Sequence, residues 1–240
     1  MTSLEPTTTA VDRLGGGQMF DRIARRYDLM NRLISLGLDS LWRRRLVQAI
    51  SPIEGGQAIL DAATGTADVA LALSAAYPEA TVTGLDPSTG MLAIGHEKVR
   101  DNGAITLVEG DAQALPFEEG HFAGVTIAFG IRNVPDRLLG LREMTRVLRP
   151  GGTLAILELG EPRRGLLAPF ARFHVHHVVP FLGGLLSGSR EYRYLQESIA
   201  AFPSPEDFVA LMAEAGLESC RFADLSFGAC QLYTGTKPRT

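Results

Sequence analysis

Residues Ile59–Asp68, ILDAATGTAD, carry an apolar strand through a turn of small residues into a helix, with an aspartate at either end of the turn. No other stretch constrains the fold as much. A strand with no polar face is buried on both sides, and one that leads straight into a helix opens a β-α-β unit. A second apolar strand, TVTGLD, follows the helix and ends on another acid, Asp86. The alternation then continues. Strands are expected near 57–62, 81–86, 104–109, 122–129 and 152–158, and helices near 68–77, 88–101 and 136–149. This pattern predicts a doubly wound α/β sheet with right-handed crossovers. Residues 162–203 break it as an insertion after the fifth strand. SPEDF then caps a helix over about 205–215, and the strands ESCRFADL and ACQLYTGTK finish the pattern. Before the first strand, Phe20, Ile23, Tyr27 and Met30 fall at helical spacing, which predicts a helical cap over residues 18–50. Residues 1–17 are polar and threonine-rich and are expected to be disordered, so residues 18–240 read as one domain.

In open α/β sheets ligands bind beyond the strand C-termini, where the strand order reverses. Asp61, Asp86, Asp111 and the loop after Phe129 all belong at that edge. Small residues in the turn let a ligand approach the backbone, and an acid closing the second strand can accept hydrogen bonds from both hydroxyls of a ribose. These features describe an adenosine site. A dinucleotide would set its pyrophosphate on the following helix, where Asp61 would repel it. Asp61 instead suits a cation, such as the ammonium or sulfonium of S-adenosylmethionine. RVLRPGG (Arg146–Gly152) closes a helix and turns into the apolar strand TLAILEL, as before the fifth strand of methyltransferase sheets.

The totals exclude several classes. With 240 residues, 45% apolar and 21% charged, and a net charge of −4, the chain lacks the basic field that nonspecific nucleic-acid binding requires. Cys220 and Cys230 cannot hold a metal cluster by themselves and read as small buried residues of a reducing cytosol. No metal site is expected: His174, His176 and His177 have no carboxylate at ligand spacing. Residues 165–188 are apolar over a bilayer-spanning length, but Arg172, the histidines, Pro169 and Pro180 favour a lid or interfacial segment. No signal pattern opens the chain, so a cytoplasmic protein is expected. Arg22, Arg25, Arg26, Arg32, Arg43, Arg44 and Arg45 read as a solvated face, or as a contact for anionic lipid headgroups.

Several motifs together resemble the ubiquinone/menaquinone biosynthesis C-methyltransferases, within the class I S-adenosylmethionine-dependent methyltransferases. They are MFDRIARRYDLMNRLISLGLDSLWRR, DAATGTAD, VEGDAQALPFEEGHF, TIAFGIRNVPD, RVLRPGGTLAILELGEP and YRYLQESIAAFPSPEDF, spread from Met19 to Lys237. The resemblance implies a Rossmann-like fold: a mostly parallel seven-stranded sheet with helices on both faces and a helical lid. It implies S-adenosyl-L-methionine as cofactor, held by Thr66, Asp86, Asp111 and Ala112 beside Asp61. It also implies C-methylation of a reduced polyprenyl quinone, in menaquinone pathways demethylmenaquinol to menaquinol. The chain departs from the family at Thr64 and Ala67, where glycines are common, and at Ala128, where many relatives carry serine.

Arg132 and Asn133 follow the fourth strand where substrate should lie, and are the candidate catalytic pair. Their other reading is a loop tied down by an arginine–carboxylate pair and an Asn–backbone bond. Asp61 and Asp111 likewise have a reading as turn-stabilising acids. Tyr27, Tyr192 and Tyr194 either line the ring pocket or fill the lid interface. A polyprenyl substrate implies peripheral contact with the inner membrane. Oligomeric state is left open, a homodimer included. Two further functions share these motifs: a methyltransferase acting on a soluble phenol or polyketide, and a non-catalytic scaffold of a quinone-synthesis complex.

Overall fold

The computed structural model describes residues 52–160 and 189–239 together with 32, 35 and 37–50; side chains of the later segment are described from Tyr194 onward. Helix α1 (Asp39–Ala49) precedes β1 (Ala58–Ala62), α2 (Asp68–Ala76), β2 (Thr81–Asp86), α3 (Thr89–Val99) and β3 (Ile105–Glu109). There follow β4 (Phe122–Ala128), a 3-10 turn (Ile131–Asn133), α4 (Arg137–Val147) and β5 (Leu148–Leu159). Next come α5 (Ser189–Ala200), α6 (Pro205–Glu214), β6 (Glu218–Leu225), a 3-10 turn (Ser226–Gly228) and β7 (Cys230–Thr236).

The strands form one seven-stranded sheet in the order β3-β2-β1-β4-β5-β7-β6, parallel except for β7. The order reverses between β1 and β4, so both C-termini there open into one crevice. The expected Rossmann-like sheet is thus present, and each expected strand and helix falls within a few residues of its observed bounds. Of the expected cap over 18–50, α1 and residues 32, 35, 37, 38 and 50 are described, and of the 162–203 insertion, α5 and the three residues after it. Tyr27, Tyr192, the three histidines and the apolar 165–188 stretch lie outside the described residues or side chains.

Apolar strands explain the layering. Leu60, Val125, Ile127, Leu154 and Ile156 pack on one face with α4 and α6; Ile59, Val82, Ala155 and Leu157 pack on the other with α1 and α2. Each fully buried large side chain contributes about 1.5–3 kcal/mol relative to its exposed state. Helix starts are set locally. Ser88, Asp136 and Ser204 each accept a backbone N–H from the residue three positions on, capping α3, α4 and α6. Pro205 at the first helical position of α6 adds a preset φ.

One glycine couples this sheet to the crevice. A Cβ on Gly84 in β2 would stand 2.6 Å from Leu107 Cδ2 and 2.8 Å from Thr64 Oγ1. Gly84→Ala should therefore cost about 1–3 kcal/mol of stability and displace Thr64, measurable by urea denaturation. An unchanged midpoint would mean that both neighbours give way freely.

Candidate cofactor and substrate site

The turn after β1 winds through three left-handed residues, Ala63 (φ 50°), Gly65 (φ 57°) and Ala67 (φ 67°). A left-handed alanine costs about 1–2 kcal/mol, so the conformation is imposed by its surroundings. Thr64 N–H donates to the Leu85 carbonyl at 3.0 Å. Gly65 N–H donates to Asp86 Oδ2 at 2.8 Å, and Ser88 N–H donates to Asp86 Oδ1 at 2.9 Å. Asp86 thus bridges the β1 and β2 loops. A Cβ on Gly65 would meet no atom within 4 Å among the described residues, so the space over the turn admits a ligand. Thr64 does not intrude on it. Its side chain is buried, over Gly84 and against Asp61.

Asp61 is the next-to-last residue of β1, at 1% exposure. It accepts from Thr64 Oγ1 at 2.6 Å and Thr126 Oγ1 at 2.8 Å. Burial pushes its carboxyl up from the ordinary 3.8 to about 7, against the downward pull of the two hydroxyls. A cationic group beside it would favour the carboxylate and lower this value. Because its folded pKa is raised, the stability it contributes is complete below about 3.8 and lost as pH rises through 7. Asp61→Asn should therefore gain on the native protein between pH 4 and 7 and hold that gain above pH 7. Thermal melts across that range test it; a pH-independent difference would contradict the buried-acid assignment.

Arg43, from α1, enters the same cleft, lined also by Asp61, Gly65, Thr66 and Phe129. Its Nη1 pairs with Asp39 at 3.1 Å and Asp68 at 2.8 Å. Lys98 Nζ pairs with Asp68 at 2.6 Å and donates to Thr66 Oγ1 at 2.8 Å. Arg43 is therefore turned inward rather than sharing the solvated face expected for the arginine run; among the described arginines of that run, Arg32, Arg44 and Arg45 are exposed.

Asp111 is exposed just past β3. Its Oδ1 accepts Gln113 N–H at 2.9 Å in an Asx turn, and Gln113 Oε1 accepts the Asp136 N–H at 2.9 Å. Ala112 is buried beneath it.

The loop after β4 is held firmly. Phe129 adopts φ 56° and donates its N–H to the Leu157 carbonyl. Arg132, 6% exposed, sends Nη1 to the Phe129 carbonyl and to Glu158 Oε1, the latter at 2.7 Å, while its N–H donates to Glu158 Oε2 at 3.2 Å. Glu158 is fully buried in β5. Asn133 Oδ1 accepts the Tyr194 hydroxyl at 3.0 Å, so the loop is joined to α5. Arg137 donates to the Arg132 carbonyl at 3.2 Å and lies 5.5 Å over the Phe202 ring. Sequence reasoning missed Glu158, Arg137, Lys98 and the inward turn of Arg43. For Glu158 a signal existed, an acid in the apolar run TLAILEL. Among the described residues no His, Cys, Asp or Glu group could hold a metal ion, and no helix is long and apolar enough to cross a membrane.

The model of the ubiE/COQ5 methyltransferase family matches residues 9–237. This chain belongs to that family. The methyltransferase is 47% identical over 223 residues to the "Ubiquinone/menaquinone biosynthesis C-methyltransferase UbiE" of Geobacter sulfurreducens, covering 91% of this chain and 87% of that one. It is 47% identical over 222 residues to the "Demethylmenaquinone methyltransferase" of Thermus thermophilus, covering 92% of this chain and 100% of the relative. Among solved structures it resembles the phosphoethanolamine N-methyltransferase 2 of Haemonchus contortus in complex with S-adenosyl-L-methionine, with a TM-score of 0.67 at 17% identity. That match covers 98% of this chain and 61% of the other. At such identity the likeness speaks for the fold alone.

Proposed function

We propose that this methyltransferase transfers a methyl group from S-adenosyl-L-methionine to a ring carbon of a reduced polyprenyl quinone, converting demethylmenaquinol to menaquinol. The observation that carries the reading is the meeting of two sets of residues at one sheet edge. Asp61 and Gly65, the latter bonded to Asp86, line a cleft with the chemistry of an adenosyl cation site; Phe129 lines it too, and Arg132 and Asn133, tied to the insertion helix α5, follow Phe129 in the chain. The residues fit the cofactor: a carboxylate at the end of β2 for a ribose, open space over Gly65, and a buried acid for a cationic group. In this reading Thr66, Asp111 and Ala112 complete the cofactor's surroundings, Asp111 with its exposed carboxylate toward the adenine amine.

S-adenosyl-L-methionine supplies an already activated methyl group, so the chain's own task is to align the acceptor carbon and make it electron-rich. Orientation of this kind supplies up to about 7–11 kcal/mol in favourable cases. Loss of a phenolic proton from the hydroquinone feeds electron density to the adjacent ring carbon. An oxidised quinone is electron-poor and should not react. Arg132 is neutralised by Glu158, so it acts on the phenol through the set it belongs to. Arg132, Arg137 and Glu158 together carry one net positive charge, which favours the phenolate over the phenol's ordinary pKa of about 10. Asn133, bonded to Tyr194, fixes the loop's approach to the insertion helix. A polyprenyl tail brings the enzyme to the membrane surface as a peripheral protein.

Methyl-labelled S-adenosyl-L-methionine with chemically reduced demethylmenaquinone tests the reading, with the label located by mass spectrometry. Label on the naphthoquinol ring carbon is expected, and none with the oxidised quinone. Arg132→Lys, which keeps the charge beside Glu158, should lower turnover at least about tenfold, because an ammonium cannot reproduce the planar fork whose Nη1 bridges Glu158 and the Phe129 carbonyl, with cofactor affinity unchanged. Full turnover in Arg132→Lys would remove the guanidinium from the mechanism. Cofactor binding without transfer would move the acceptor to another phenol, and absence of binding would favour a scaffold.

A further inference from the structure

The cleft at the β1–β4 switch carries charge of both signs, with Asp61 and Arg43 at its lining and Asp68 beside Arg43. Asp61, almost fully buried, lines it, and Arg43 reaches it from α1. The guanidinium is held from one side. Among the described residues its ion pairs run through Nη1, to Asp39 and Asp68, while Ser35 Oγ donates to Asp39 at 2.9 Å and Lys98 to Asp68. These contacts balance the charges of Asp39, Asp68, Arg43 and Lys98 and hold Nη1 of the Arg43 fork. Its side chain is 15% exposed, so an ion pair formed there is partly shielded from water. An acid and an arginine lining one small cleft are complementary to an amino-acid zwitterion, and a planar guanidinium matches a carboxylate in two parallel bonds.

We infer that Arg43 holds the α-carboxylate of the cofactor's amino-acid end while Asp61 takes its ammonium, making α1 the element that selects a carboxylate-bearing methyl donor. The inference rests on the donor proposed above and adds a specificity residue to it. It also gives the Asp39–Arg43–Asp68–Lys98 set a purpose: the set aims the fork at the cleft and ties α1 to the turn at Thr66.

Decarboxylated S-adenosylmethionine separates this role from a structural one, because it keeps the adenosine, sulfonium and ammonium and lacks only the carboxylate. Calorimetry should be run with it and with S-adenosylmethionine on the native chain, Arg43→Ala, Arg43→Lys and Asp68→Asn. The native chain should prefer S-adenosylmethionine. Arg43→Ala should weaken S-adenosylmethionine by about 10–100-fold, the range of a charge-assisted hydrogen-bonded pair, and leave the decarboxylated compound within about twofold. Arg43→Lys should restore part of the preference, and Asp68→Asn, which weakens the hold on the Arg43 fork, should reduce it less than Arg43→Ala does. Equal weakening of both compounds in Arg43→Ala, or of neither, would overturn the assignment. Failure of the native chain to bind either compound would instead overturn the donor reading on which it rests.

Discussion

Glu158→Ala should cost about 3–5 kcal/mol of folding stability, the range for breaking a buried ion pair from one side. The cost comes from what is left behind. Arg132 would keep its charge at 6% exposure and lose both the Nη1 bond and the backbone N–H bond that Glu158 accepts. Glu158→Gln keeps an acceptor without the charge and should fall between the native protein and Glu158→Ala. Removing both charges with Glu158→Leu and Arg132→Met should recover most of the stability and none of the activity, because well-packed apolar pairs replace buried ion pairs at little cost. Urea denaturation reads all three. A loss below about 1 kcal/mol in Glu158→Ala would mean that the pair is solvated, against its burial.

Asp86→Ala should lower cofactor affinity by about 100-fold, or about 3 kcal/mol, the scale of a lost pair of charge-assisted hydrogen bonds. Two effects add. The acceptor for the ribose disappears, and the Gly65 and Ser88 N–H groups lose the carboxylate that draws the β1 and β2 loops together. Asp86→Asn should not be a mild change. An amide presents one acceptor where the carboxylate presents two, so its NH2 must face either the Gly65 N–H or the Ser88 N–H, donor against donor. Calorimetry with S-adenosylhomocysteine checks this, with thermal melts to separate loss of binding from loss of fold. Native-like affinity in Asp86→Asn would detach the ribose from this residue.

The parts of the site visible in the sequence are those that one segment builds alone. Asp61 lies one residue before the end of an apolar strand and Asp86 ends another, and the parallel pairing of β1 with β2 sets both at the same edge, Asp61 beside Gly84 and Ala62 beside Leu85. The helix caps at Ser88, Asp136 and Ser204 are similarly local. The parts that escaped depend on register between distant strands or on the reach of long side chains. Arg132 finds Glu158 because Ala128 pairs with Leu157, which sets the loop after β4 beside the end of β5. No spacing within either segment encodes that meeting. Arg43 sits in an arginine run that reads as solvated, and only the packing of Trp42, Leu46 and Val47 against the sheet turns its side chain toward Asp68. Lys98 projects from the last turn of α3 to Thr66, a contact set by how α3 lies on the sheet.

Strand β7 lies inside β6, pairing antiparallel with β5 on one side and β6 on the other. A ribosome, however, makes β6 first. When β6 emerges it has no ladder to join, and β5 presents an open row of backbone donors and acceptors until residues 230–236 arrive. The nascent molecule therefore passes through a stage with an unguarded sheet edge, the condition under which chains pair with one another instead of with themselves. Among the described residues only β7 covers that edge of β5, and β6 joins the sheet through β7 alone.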